Sequence, residues 1–161
     1  MPSSASDRPA KLARYADAHR LLTEALARFP REMWRFKPSA ADWSIHEIIV
    51  HITDSEANSY IRARRLIAEP GRTLMDYDEN AWAAGLDYQH LDAGDAVELF
   101  RWLRGNTYRL VKDLPETTWA NTAYHPENGD TTLDDWLDTY ASHVPDHIAQ
   151  MERVYKAWES S

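Results

Sequence analysis

Cysteine is absent from the 161 residues. That excludes disulfides, thiolate metal sites and cysteine nucleophiles, so a metal here must be held by histidine and carboxylate. Glycine and proline are sparse, at 5 and 8 residues, and the prolines cluster near apparent segment ends. No apolar run approaches the ~20 residues that span a bilayer. The opening run MPSSASDRPA lacks an apolar core, so it is not read as a signal peptide and a cytoplasmic protein is expected. Positive charge is also in the minority, 18 Lys and Arg against 26 Asp and Glu, for a net charge of -8. This balance argues against a nucleic-acid partner, which needs a cationic surface, and against an anionic membrane surface.

What is present is a soluble, globular composition, 43% apolar and 27% charged. The length suits a single domain over residues 9–161, preceded by a flexible tail over 1–8. Apolar residues recur at three and four, so the chain reads as all-α. A first helix starts near Asp7-Arg8-Pro9, where proline is tolerated. It turns Leu12, Tyr15, Ala16, Leu22 and Leu26 inward and stops before Pro30. The second helix opens on a capping box, Ser44 with Glu47, behind a possible staple at Trp43, and ends at Pro70-Gly71.

A long connection over Arg72–Asp92 carries one short helix around Glu79–Ala84; connections of this length tend to be functional. A third helix over Ala93–Asp113 buries Leu99, Phe100, Leu103, Leu110 and Val111. His125-Pro126-Glu127-Asn128-Gly129 reads as a turn-rich loop or short hairpin. The last helix opens at Thr131 or Thr132 and turns Trp136, Tyr140, Val144, Ile148 and Met151 inward. Four long amphipathic segments argue a four-helix bundle with long connections. Of the seven tryptophans, Trp43, Trp102, Trp119, Trp136 and Trp158 read as core or interface rings.

The chemistry concentrates in ASHVPDHIAQM, residues 141–151. Residues four apart on a helix share a face, so His143 and His147 point into or beside the core. They are either hydrogen-bonded core histidines or two ligands of one ion. His51 on the second helix is the candidate third ligand. His46 and His90 read as solvated, and His19 as a packing residue or reserve ligand. Pro145 lies between the pair and removes one helical hydrogen bond. The helix is expected to continue through it with a kink, and both imidazoles to meet His51.

VHITDSEANSYIRARRLI, residues 50–67, resembles the second helix of the DinB/YfiT superfamily, in its YfiT/BstA-type branch. Tyr77-Asp78-Glu79-Asn80-Ala81-Trp82, His125-Pro126-Glu127 and Tyr140…His143-x-x-x-His147 follow in the same order, so the resemblance covers about residues 34–158. It implies a four-helix bundle binding a divalent metal through His51, His143 and His147; three histidines suit zinc, nickel, iron or copper, with zinc or nickel expected. It also implies a metal-dependent hydrolase, or a transferase moving a low-molecular-weight thiol such as bacillithiol onto a small electrophile, and a homodimer. The branch often has histidine where Val50 and Glu56 stand here.

Glu56 falls on the inward face of the second helix. Either it pairs with Arg101 or Arg104, or it supports a ligating imidazole, supplies a fourth ligand or acts as a general base. Asp54, Asn58 and Tyr60 follow His51 as candidate substrate contacts, with a solvated face as the alternative for Asp54. Tyr77 and Trp82 are candidates for the site mouth. A non-catalytic bundle, stabilised by its metal or binding a small molecule, is the other class.

Overall fold

The computed structural model describes residues 7–161. Most of the expected tail lies outside the described residues. The first helix starts at Arg8, within the expected Asp7-Arg8-Pro9 start. The four long helices are α1 (Arg8–Leu26), α2 (Ile45–Ala68), α4 (Ala93–Val111) and α6 (Leu133–Glu159). Between them lie short helices α3 (Glu79–Gly85) and α5 (Glu116–Trp119), and strands β1 (Thr122–His125) and β2 (Gly129–Thr132). The chain is an all-α four-helix bundle with long connections, to which the hairpin adds a small two-stranded sheet. Helix α1 packs on α6 and α4, and α2 packs on the same two, so α1 and α2 stand on a diagonal.

The helix starts follow from capping chemistry. Ser44 accepts from the Glu47 amide while the Glu47 carboxylate accepts from the Ser44 amide, and Thr132 and Asp135 repeat the arrangement at the head of α6. Asp78 and Asp92 cap α3 and α4. Glycine is required just past α2, where Gly71 has φ +84°, and at the hairpin, where Gly129 has φ +75°. The run HPENG closes a hairpin pairing Thr122 with Thr132 and His125 with Gly129. Thr73 bridges Tyr124 in parallel, fixing the chain after α2 to β1.

Two apolar clusters fill the bundle. Leu22, Met33, Ile45, Ile48, Ile49, Ile52, Phe100 and Met151 form one, and Tyr15, Leu66, Trp119, Leu133, Trp136 and Leu137 form the other. The middle of α2, between them, carries the polar residues of the site. Helix α4 departs from its expected face. Phe100, Arg104, Thr107 and Val111 point inward, while Leu99 and Trp102 are 51% and 53% exposed and Leu110 is exposed too. Phe100 and Val111 lie inward as expected, but Arg104 and Thr107 are polar, so the apolar pattern alone set the stripe too far toward Leu99 and Leu110. Ala16 is exposed for a similar reason, since Tyr15 and Ala18 take the inward positions of α1. No helix among the described residues is long and apolar enough to cross a membrane.

Candidate metal centre

Helix α6 runs unbroken from Leu133 to Glu159 with Pro145 inside it. Proline has no amide proton, so the Ala141 carbonyl loses its usual helical partner. The helix still keeps His143 and His147 on one side, and their Nε2 atoms lie 3.2 Å apart. His51, from the middle of α2, brings its Nε2 to 3.1 Å from that of His147. Ligating atoms of all three residues fall within 4.8 Å of one another.

Nitrogens at these separations match the edges of a coordination polyhedron with metal–nitrogen distances of about 2.0–2.1 Å. The protonation pattern agrees. Burial, then the neighbouring His147, holds the His51 imidazole down at about 3. Burial, followed by His147, His51 and Arg104, holds His143 well below the usual histidine range. Burial lowers His147 as well, against the opposing pull of Gln150 and Asp146. Three neutral rings therefore face one point.

His147 Nδ1 donates to Gln150 Oε1 at 2.7 Å, which leaves the lone pair on Nε2, aimed at the cluster. His51 Nδ1 and His143 Nδ1 are buried without a partner among the described residues. Ser55 Oγ lies 3.4 Å from His143 Nε2, and the Trp43 ring packs 4.8 Å from that of His51. The residues fit a divalent ion: three neutral nitrogen donors and no thiolate.

The other candidates occupy distinct places. Glu56 is 0% exposed and Arg104 2%. Arg104 Nε and NH2 donate to the two Glu56 oxygens at 2.8 and 2.7 Å, and Tyr15 Oη donates to Glu56 at 3.1 Å. The carboxylate is held in a buried ion pair and is not in the group of converging ligand atoms. Arg101 pairs with Glu98 instead. Asp54 accepts from the buried Tyr88 hydroxyl at 2.5 Å. Asn58 is buried and donates to the Asp54 carbonyl. Tyr60 lies under the Arg64 guanidinium, which also reaches Thr107 of α4.

Tyr77 and Trp82 pack ring to ring at 4.6 Å, with Trp82 behind Tyr77 rather than in the lining of the cavity. Tyr77, Ser55, Arg62, His125 and Glu127 line a cavity of about 170 Å³ that includes His143. His46, expected to be solvated, is 5% exposed and holds the Leu91 carbonyl through Nε2 at 2.6 Å. The chain entering α4 folds over the first turn of α2 and covers it. His90 is exposed beside Asp87, and His19 is half-buried on α1. Sequence reasoning missed Gln150 and Ser55. Each had a signal, since Gln150 stands three residues after His147 and Ser55 four after His51, on the same helical faces.

Comparison with known proteins agrees with the geometry. A candidate metal-dependent hydrolase of Oceanobacillus iheyensis is 29% identical over 140 residues, 87% of this chain and 81% of that one. YfiT of Bacillus subtilis, described in the same words, is 30% identical over 113 residues, 70% of this chain and 64% of that one. A solved structure of YfiT, described as an unusual four-helix bundle topology, superposes with a TM-score of 0.88 at 23% identity, covering 98% of this chain and 90% of that one. The family model of the DinB superfamily matches residues 14–151, and the chain belongs to that superfamily.

Proposed function

We propose that the chain is a metal-dependent enzyme that transfers a low-molecular-weight thiol, of bacillithiol or mycothiol type, to a small electrophilic substrate. The observation that carries the reading is the convergence of three neutral Nε2 atoms beside a cavity. A zinc or nickel ion held by His51, His143 and His147 supplies a Lewis acid that favours a thiolate over a thiol.

The absence of a carboxylate from the converging group favours a thiol over water. Water activated for hydrolysis is commonly served by an adjacent carboxylate base. On α2, Glu56 is tied to Arg104 and Tyr15, and Asp54 accepts from Tyr88, while Asp76, Glu79 and Glu127 line the cavity beyond His143 without joining the converging group. A thiol is far more acidic than water and loses its proton without such a base. The new carbon–sulfur bond forms as the bond to the leaving group breaks, and the thiol proton goes to solvent. Gln150 fixes the tautomer of His147, Trp43 packs the His51 ring, and the neutral Tyr77 phenol, backed by the Trp82 ring, borders the space for the electrophile.

Hydrolysis is the second reading, favoured by the description given to the relatives. A reduced thiol cosubstrate places the reaction in the cytoplasm, and a homodimer has the exposed face of α4 around Leu99 and Trp102 available to it. Purified protein loaded with zinc or nickel is incubated with a thiol and monochlorobimane. Metal-dependent conjugation is expected. Ester or amide hydrolysis without conjugation replaces transfer by hydrolysis, and neither activity from metal-loaded protein overturns both.

A further inference from the structure

Resting on that reading, we propose that the cavity before the three histidines selects a thiol or electrophile bearing a positively charged amine or quaternary ammonium group.

The inner cavity, about 170 Å³, adjoins an outer one of about 560 Å³, and Asp76, Tyr77, Glu79 and Glu127 line both. The fixed charges around this space come from α2, the chain before α3, α3 and the hairpin, while α6 borders it with the uncharged Thr139 and Tyr140 and with His143. Arg62 comes from α2, Asp76 and Asp78 from the chain before α3, Glu79 from α3, and Glu127 from the hairpin. Four carboxylates thus face one guanidinium. His125 does not redress the balance, because burial, followed by Arg62, lowers its imidazole and its Nδ1 accepts from the Glu127 amide.

The single guanidinium is already engaged. Its Nε and NH2 donate to the Met75 carbonyl and its NH1 to the Tyr140 hydroxyl. Asp78 is spent capping α3. Glu79 and Glu127 remain close enough to repel, and burial, then Glu127, raises the Glu79 carboxyl above its ordinary value. A cation between them removes that repulsion.

Two further atoms point to a ligand. The Tyr77 hydroxyl and His143 Nδ1 are buried without a partner among the described residues, and both residues line the inner cavity. An organic cation fits better than a metal ion. The only group of ligating atoms among the described residues that converges closely enough for one ion is the histidine trio. A cation seated at Glu79 and Glu127 carries the rest of its molecule inward, past Tyr77, toward His143.

The test uses three thiols of similar length and different charge: thiocholine, 2-mercaptoethanol and 3-mercaptopropionate. Thiocholine has no free nitrogen lone pair, so it cannot favour itself by chelation. Each is titrated into cobalt-loaded wild-type, E79Q and E127Q protein. Calorimetry reads affinity, and the cobalt–thiolate absorption band reads whether sulfur reaches the ion. Thiocholine is expected to bind about tenfold or more tighter than 3-mercaptopropionate, and the preference to shrink several-fold in E127Q and E79Q and with added salt.

Equal affinities, a preference for the anion, or a thiocholine preference unchanged in both variants overturns the inference. A band from all three thiols without a charge preference leaves the proposed function standing and removes the cation site. A charge preference without any band does the reverse.

Discussion

In the proposed metal site, Gln150 acts on a ligand without touching the ion. By accepting from His147 Nδ1 it keeps the lone pair on the opposite nitrogen. Gln150→Ala is expected to lower metal affinity about 10- to 100-fold with the helical circular-dichroism signal unchanged, measured by competition with a chromophoric chelator. His51→Ala, His143→Ala and His147→Ala are each expected to abolish stoichiometric metal in elemental analysis.

The same histidines set an acid limit. His51 is held at about 3 in the fold against an ordinary 6.5, so the unfolded chain takes up the proton first. Its contribution to the metal-free protein is therefore complete above about pH 6.5 and is lost as pH falls toward 3. Urea midpoints of the metal-free protein at pH 7.5 and 5 should differ in that direction. Protons compete with the ion over the same range. At this scale His51, His143 and His147 were legible from spacing and resemblance. Gln150 and Ser55 were not, because a polar residue on a helical face becomes informative only once its neighbour is known to be a ligand.

Helix α6 carries two of the three proposed ligands across an internal proline. A proline inside a helix costs about 3 kcal/mol relative to alanine. Pro145→Ala is therefore expected to raise stability in denaturant titration, by less than that figure because the half-buried ring also packs. The capping boxes stabilise in the opposite sense, and Ser44→Ala should cost about 1 kcal/mol.

The start of α2 was readable because capping is local chemistry: Ser44 and Glu47 act within one turn. The inward face of α4 was less so. Arg104 is buried because Glu56 of another helix receives it; the pairing was one of the alternatives readable from Glu56, but nothing in the α4 sequence chooses Arg104 over Arg101. The hairpin was left open between two forms for a similar reason, since its third partner, Thr73, lies some fifty residues earlier.

Across the whole molecule, the Glu56–Arg104 pair ties three helices at their midpoints. Arg104 of α4 donates to Glu56 of α2 and to the Tyr15 carbonyl of α1, while the Tyr15 hydroxyl returns to Glu56. Removing one partner strands a buried charge. Arg104→Met is expected to cost about 3–5 kcal/mol in urea unfolding, and adding Glu56→Leu to recover much of it. The bundle itself was legible from four amphipathic stretches. The diagonal placement of α1 and α2 was not, because it depends on how long connections route the chain rather than on any one segment.

The bridge between Thr73 and Tyr124 has a mechanical consequence. The Gly71 amide donates to Thr122, Tyr124 to Arg72 and Leu74 to Tyr124. The segment leading to Tyr77 is therefore laced to the hairpin that carries His125 and Glu127. The two sides of the opening form a stiff collar rather than independent flaps. In amide hydrogen exchange, Leu74 and Tyr124 should lose protection together, at one rate. The aperture that a substrate meets is then set by backbone, and entry needs no opening step.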